Sequence, residues 1–548
     1  MRILLAALVL AMTAVAGPAC ADDGLLARWK LAGDAKDSSG NGRHLENHGV
    51  QFGAAGPVGT AAVFDGRKGY LELPGGKSLR LGTGEFSISV RVHVGEALDD
   101  LPGNILSRYD PGKRRGFQLS IDSRPGVTSS QANARQLHFG IDNGHNDAKW
   151  TDHGRLGKAV LVFGMAVYKG QLFAGTCVAG KSEASRVYRF DGKTWTDCGA
   201  PDKCNSVSAF AVYKGNLYVG VSKYRLRGSS LKESDNPHPG GGVYRYVADG
   251  KWEACGRLPK VEAINGLAVF RGKLYASSMY APAGLFRYEG GTKWTSCGTP
   301  GGKRVEALCV YNGHLYATGY DEGAVYRYDG TTWSHLGRVG KATQTYGFAV
   351  HNGELYVSEW PNAEVYRYGG GTKWVFAGKL GNEKETMPLV VYNGKMYAGT
   401  LPRAEVYRYD GGTSWTKFAR LDFTPDVRYR RVWSMAVYRG RLFAGTLPSG
   451  RVHSVEVGRN ATYDTALQPG WRHLVAVKGK DRLTLYVDGK PVARSAAYKP
   501  ADYDLSTAAP LRIGFGPHDY FHGRMSDLRI YSRALSEAEV RTLSRDSQ

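Results

Sequence analysis

Pro388-Leu389-Val390-Val391-Tyr392-Asn393-Gly394-Lys395-Met396-Tyr397-Ala398-Gly399-Thr400, followed by Glu405-Val406-Tyr407-Arg408-Tyr409-Asp410-Gly411 and then Trp415, is one copy of a unit that the chain repeats. The unit reads as an apolar run, an Ala-Val-Tyr-like anchor, a Gly turn, Leu-Tyr-Ala-Gly-Thr, a loop, Val-Tyr-Arg-Tyr-Asp-Gly and a late Trp. It returns every 35 to 55 residues or so. Its anchors are Ala166, Ala211, Ala268, Cys309, Ala349, Val390 and Ala436. Each copy holds four short β-rich runs separated by glycine turns, which is the content of one four-stranded propeller blade. The late Trp occurs at 195, 252, 294, 333, 374 and 415, but the last unit ends at Arg451-Val452-His453-Ser454-Val455 without one. Lys149-Trp150-Thr151-Asp152-His153-Gly154 matches Lys293-Trp294-Thr295-Ser296-Cys297-Gly298 and stands just before the first unit. The sequence therefore predicts a seven-bladed β-propeller over 148–458, its last blade completed by the strand at 148–154 so that the ring has no free edge.

Through its Leu-Tyr and late Trp the unit resembles the kelch repeat, although Gly-Thr stands where kelch repeats carry Gly-Gly. The flanks carry a second resemblance. Before the propeller come Leu26-Ala27-Arg28-Trp29, Asp37-Ser38-Ser39-Gly40-Asn41-Gly42, Ala62-Val63-Phe64-Asp65-Gly66 and Phe86-Ser87-Ile88-Ser89-Val90-Arg91-Val92. After it come Gly470-Trp471-Arg472-His473-Leu474-Val475, Leu483-Thr484-Leu485-Tyr486-Val487-Asp488-Gly489 and Met525-Ser526-Asp527-Leu528-Arg529-Ile530-Tyr531. In this order they resemble the two halves of a laminin-G-like jelly roll of the concanavalin A-like class. That makes the fold class all-β, a propeller inserted into a sandwich whose halves are 22–147 and 459–548. Independently of the resemblance, the alternation in Phe86 to Val92 and Leu483 to Val487 predicts half-buried strands. Asp488-Gly489 predicts a hairpin turn, and Ser536 with Glu539 a capping box opening the one helix expected.

Arg2, the apolar run from Ile3 and Ala19-Cys20-Ala21 read as a signal peptide over 1–21, so the chain is expected to be exported to the periplasm, cell surface or medium. No other stretch is long and apolar enough to predict a membrane span. The net charge of +22 suits a polyanionic partner, and for an exported chain that means acidic polysaccharide rather than nucleic acid. The regular arginines 189, 245, 287, 327, 367 and 408 recur once per unit and read as structural. Cys177, Cys198, Cys204, Cys255, Cys297 and Cys309 allow disulfides, with 198–204 and 297–309 near in sequence, or buried free thiols.

One level of the repeat varies completely: Phe163, Ser208, Asn265, Glu306, Tyr346, Met387 and Trp433 start the innermost strands, where a channel mouth is expected. Asymmetry confined to one level of a regular ring is what a ligand site requires. With the loops of that face, the candidate ligand-binding residues are Asn265, Glu306, Tyr346, Trp433, Trp360, Arg403, Arg430 and Arg431. Tyr280, Tyr320, Asp321, Glu322, Glu359 and the insertion from Lys223 to Gly241 accompany them. Aromatic faces stack on sugar rings and arginine forks pair carboxylates, so the set points to glycan binding. A glycoside hydrolase or polysaccharide lyase at the same mouth is the alternative, drawing on Glu306, Glu359, Asp321 and Glu385. A surface module binding an envelope protein is the other. In relatives of the jelly roll a structural Ca²⁺ often sits at the positions matched here by Asp37, Asn41 and Asp527, and oxygen donors from turns suit that ion. His44 and His48 read as incidental.

Overall fold

The computed structural model describes residues 23–75, 79–96, 100–125, 131–145 and 148–545, and the predicted signal peptide lies outside them. Two antiparallel sheets form a sandwich, and each mixes strands from both ends of the chain. One runs Gln51–Ala55, Thr60–Asp65, His522–Tyr531, Phe86–Val94, Gly470–Lys478, Leu483–Val487 and Lys490–Arg494, with Leu25–Trp29 also paired to the 522–531 strand. The other runs Glu46–His48, Tyr70–Leu73, Leu511–Ile513, Gly103–Asp110, Arg115–Arg124, Asn133–Asn143 and Arg459–Tyr463. Phe86, Ile88, Val90, Val92, Leu474 and Leu485 of the first sheet meet Phe117, Leu119, Ile121, Phe139 and Ile141 of the second in one core. The hairpin at Asp488-Gly489 forms with both residues at positive φ, as a primed turn requires. The Ser536 hydroxyl accepts the Glu539 amide while Glu539 receives the Ser536 amide, so the capping box opens the helix Glu537–Arg545.

The repeats build a propeller-like arrangement of sheets. Their innermost strands pack side by side in a closed ring, from Leu161–Tyr168 through Ser206–Tyr213, Ile264–Phe270, Val305–Tyr311, Gln344–His351 and Glu385–Tyr392 to Arg431–Tyr438, which packs back on Leu161–Tyr168. The expected count of seven separate blades is corrected: five discrete four-stranded sheets form, and the strands of the first two units run together as one eight-stranded sheet. The join is a single pair, Cys177 with Ser206, where the second strand of the first unit continues into register with the first strand of the next. Thr151–Arg155 pairs antiparallel with Arg451–Val455 and supplies the outer strand of the last sheet. The Tyr438 hydroxyl to the Gly170 carbonyl (3.0 Å) and the Ser434 hydroxyl to the Val162 carbonyl (2.8 Å) also cross this seam. Gly445 is obligatory there, because a Cβ would stand 2.6 Å from the Val162 Cβ.

The late tryptophans staple each unit to the one before it. Indole N–H groups of Trp252, Trp294, Trp333, Trp374 and Trp415 donate to the carbonyls of Cys198, Cys255, Cys297, Leu336 and Ala377 at 2.8–3.0 Å. Trp150 and Trp195, which flank the seam, have buried indole nitrogens without such a partner. Between the last sheet and the first unit, the Tyr438 and Ser434 hydrogen bonds stand in for the staple.

The sandwich seats one sheet on the underside of the ring. Along Arg115–Arg124 the side chains alternate, with Phe117, Leu119 and Ile121 in the core and Gln118, Ser120 and Asp122 facing the propeller, all buried. Arg124 donates to the Val391 carbonyl (2.8 Å), Asn133 exchanges hydrogen bonds with Val437 (2.7 and 3.1 Å), and Asn393 donates to the Ile141 and Val457 carbonyls. The loop after Leu511–Ile513 joins the contact, with the Asn352 and Gly353 amides donating to the Pro517 and His518 carbonyls. A polar sheet face that would ordinarily be wetted is thus consumed by the domain contact. Replacing Trp333 by Phe removes a made hydrogen bond, whereas Trp195→Phe removes none. We expect Trp333→Phe to cost about 1 kcal/mol more by denaturant unfolding; equal losses would show that the staple contributes nothing.

Candidate functional site

At the face of the ring away from the sandwich, the channel opens into a pocket of about 800 Å³. Its floor and walls come from the variable level of the repeat: Glu306, Tyr346, Met387 and Trp433 line it, and Phe163 backs it against Trp433 with rings 4.9 Å apart. The rim is built by loops. The insertion within the second unit, between its second and third strands, folds inward because Tyr224 and Asn205 exchange two hydrogen bonds (2.8 and 2.9 Å), and the Tyr224 hydroxyl pairs with Ser229 at 2.8 Å. This places Tyr224, Arg225 and Arg227 over the opening. Tyr280, Tyr320, Trp360 and Tyr429 complete an aromatic wall. Arg225 lies 4.3 Å over the Tyr280 ring and Arg304 4.6 Å over that of Tyr320, so both guanidinium planes are held flat against aromatic faces.

Two carboxyl groups sit deep in the pocket in different environments. Glu385 is clamped by Arg431, with Nε and Nη2 at 3.1 and 3.2 Å from its two oxygens. The same guanidinium reaches the Ser229 hydroxyl (3.1 Å) and lies 4.9 Å over Trp433, tying the insertion to the last unit. Glu306 is fully buried, and its oxygens have no hydrogen-bond partner other than the neighbouring Asn265 amide. Burial pushes its pKa up to about 8, Glu385 adds to this, and Asn265, Arg431 and Arg304 oppose it. At neutral pH Glu306 is therefore mostly protonated. Lys223, Arg225, Arg227, Arg304 and Arg431 line the pocket with Glu233 and Glu385; of these cations Arg225 and Arg304 are also paired with Glu262 and Asp321, while Lys223 and Arg227 have no such ion pair among the described residues.

The structure brings Glu306, Tyr346, Trp360, Arg431 and Trp433 of the predicted set to one cavity. Asn265 is buried beside Glu306, behind the residues that line the pocket, and its amide has no partner other than Glu306. Arg403 and Arg430 do not join the lining. Arg403 lies 3.6 Å from Glu383, Arg430 donates to the Thr424 carbonyl, and the two backbones bridge each other. Trp433, read from the sequence as a stacking platform, is only 2% exposed and serves as a pillar between Phe163 and Tyr224. Asp321 is taken up by a two-nitrogen contact from Arg304, Glu322 accepts the Tyr326 hydroxyl, and Glu359 accepts the Asn362 and Glu364 amides in its own turn. Burial raises Glu359 to about 7, but it lies outside the pocket lining. The sequence offered the insertion Lys223–Gly241 as a whole without singling out Tyr224 and Arg225 in it; Arg304 it missed, since it precedes a strand as many surface arginines do.

Asp37 and Asp527 meet at Arg28, whose backbone amide donates to Asp37 (3.1 Å) and whose Nε donates to Asp527 (2.8 Å). Asp37 also accepts the Ser39 and Arg43 amides, Asp527 is held by Arg529, and the Asn41 amide donates to the Leu25 and Leu26 carbonyls. These carboxylates already face N–H donors, so as arranged they do not fit an oxygen cage for Ca²⁺. His44 accepts the Asp37 amide and His48 stacks on Tyr70. Ligand atoms of Asp122, His138 and His518 lie within 4.8 Å of one another at the domain contact. Arg124 already neutralises Asp122 there: burial alone would raise that carboxyl, but Arg124, His518 and His138 hold it well below the usual range. The six described cysteines are all free thiols.

The fold and site together define an all-β protein that joins a propeller-like ring to a concanavalin A-like sandwich. Residues 444–541 match the model of the concanavalin A-like lectin/glucanases superfamily, beginning in the closing propeller sheet and covering the later sandwich strands. Among curated proteins, the zebrafish (Danio rerio) adhesion G-protein coupled receptor V1 is 28% identical over 92 residues, 16% of this chain and 2% of the receptor. Among solved structures, a GH74 xyloglucanase from Xanthomonas campestris is similar with a TM-score of 0.40 and 15% identity, over 61% of this chain and 60% of that one. The extracellular domain of a hybrid two-component system from B. thetaiotaomicron is similar with a TM-score of 0.41 and 12% identity, over 63% of this chain and 47% of that one.

Since Trp433 is a pillar and Trp360 a partly exposed rim residue, alanine should separate them. Trp433→Ala is expected to cost about 3–5 kcal/mol, and Trp360→Ala less than about 1 kcal/mol. Thermal unfolding of the two variants checks this, and equal losses would contradict the assignment.

Proposed function

We propose that the protein is an exported glycan-binding protein, and that its ligand is an acidic oligosaccharide or polysaccharide taken up at the mouth of the propeller channel. The domain plan behind this reading is a signal peptide over 1–21, a sandwich formed by 22–147 and 459–548, and a propeller inserted at 148–458. The observation that carries it is the pocket itself: about 800 Å³, walled by aromatic rings, with five basic side chains and three carboxyl groups in its lining. Rings of Trp360, Tyr320 and Tyr429 offer flat apolar faces to a pyranose, and the nitrogens of Arg304 and Arg225 that Asp321 and Glu262 do not take are offered to its carboxylate. No helix among the described residues is long and apolar enough to cross a membrane. The binding reading is preferred to a hydrolytic one because hydrolysis would need a second carboxylate free to act with Glu306, and Glu385 is committed to Arg431.

Titration calorimetry with galacturonate and glucuronate di- and trisaccharides tests the proposal. The wild-type chain is expected to bind at least one of them, more weakly as salt rises, and about tenfold more weakly in either Arg304→Ala or Trp360→Ala. Equal affinity for the methyl esters of the same sugars would remove the argument for an acidic ligand.

A further inference from the structure

Glu306 and Asn265 start adjacent inner strands, Val305–Tyr311 and Ile264–Phe270, one step below the aromatic rim. Both side chains are fully buried, and apart from each other their four polar side-chain atoms have no protein partner. Leaving such groups unpaired costs about 1–3 kcal/mol each, so this concentration at one spot is not expected of plain scaffold. The backbone around them is fixed: Ser277 donates to the Glu306 carbonyl (2.7 Å) and the Ala307 amide donates to Thr318 (2.8 Å). Below this level the channel narrows to voids of about 30 and 20 Å³ beside Arg124 and Leu101, where the sandwich closes it. A polymer cannot thread through; only a chain end can reach the floor.

We infer that Glu306 and Asn265 form a floor subsite that reads a pair of neighbouring hydroxyl groups on the terminal residue of the acidic glycan. This rests on the pocket's being the glycan site. A carboxylic acid and a carboxamide each present one donor edge and one acceptor edge. Two adjacent hydroxyls, each able to donate and accept, satisfy all four atoms at once, and a carboxylate does not. The sugar's own carboxylate is left to the arginines at the rim, so the floor sets which stereochemistry enters and the rim sets its charge.

The pH dependence follows from the protonation of Glu306. Above about 8 the group ionises, loses its donor and repels an anionic ligand, so affinity falls as pH rises through that value. The groups facing it are Glu385, Arg431 and Arg304, with the phenols of Tyr320 and Tyr346, which burial pushes above their ordinary range.

The test measures binding of methyl galacturonide and digalacturonate to the full chain between pH 6 and 9.5. Glu306→Ala and Asn265→Ala are expected to bind about 10- to 100-fold more weakly at pH 7. Glu306→Gln, which keeps one donor and one acceptor edge, is expected to stay within about threefold of wild type at pH 7 and to lose the decline at high pH. Should the alanine variants fail to fold, wild-type protein with 2-deoxy and 3-deoxy methyl galacturonide reads the same contact, and one of the two is expected to lose the same factor. If both alanine variants and both deoxy sugars bind as the parent pair does while Trp360→Ala still loses affinity, the floor subsite is overturned and the pocket stands. If neither galacturonides nor glucuronides bind the wild-type chain at millimolar concentration, both readings fall; if only glucuronides bind, the same variants and the 2-deoxy and 3-deoxy glucuronides carry the test.

Discussion

Thr151–Arg155 and Arg451–Val455 lie at opposite ends of the repeat array, yet they pair as neighbouring strands, and most of the architecture hangs on that pairing. A ring of packed sheets is stable only when its last sheet meets its first; otherwise both ends expose strand edges and an apolar flank. Here the closing strand comes from upstream, so entry to and exit from the ring are side by side. That placement lets a two-sheet sandwich be built from chain on both sides of the ring without a long connection. The seam carries no tryptophan staple, and the hydrogen bonds of Tyr438 and Ser434 hold it.

The sandwich and ring then constrain each other's function. A sheet face of Gln118, Ser120, Asp122, Asn133 and His138 could bind a polar ligand if it were open, but the underside of the ring covers it and leaves these groups buried. Covering it also plugs the channel, so that an open tube becomes a cup. The channel is left open only on the opposite face, and there the repeat abandons its regularity. Regular positions carry turns and staples, while the variable level carries one acid, one amide, three aromatics, a methionine and a serine in a single ring. An insertion of about 20 residues from one unit leans across and is fastened by Arg431 to another. The cup is asymmetric because its lid is.

Much of the fold could be read in the chain because its signals are local. The x-Gly turns at Asn312-Gly313, Asn352-Gly353 and Asn393-Gly394 take positive φ, the period-2 alternation marks strands, although Phe86–Val94 is buried on both faces rather than half-buried, and the Trp150 segment copies the Trp294 segment. The merging of the first two units had no such mark, since it depends on one backbone pair between Cys177 and Ser206. For the site, the variable level identified the floor but not which side chains remain accessible. Trp433 and Trp360 look equally suited to stacking in sequence, and only packing makes the first a pillar and the second a rim. Arg304 was invisible because its meaning comes from Asp321 and Tyr320, which fix its direction. The polar domain contact was invisible for the same reason: alternation says that Asp122 faces away from the core, but not what it faces.

Hydrogen–deuterium exchange of the full chain, with and without saturating digalacturonate, tests the placement of the ligand most directly. The account predicts added protection in the insertion around residues 223–234 and in the segments around 304–306, 344–346 and 429–433, with the sandwich strands unchanged. Protection appearing in the sandwich around residues 37–48 and 522–531, with the channel mouth unaffected, would contradict it.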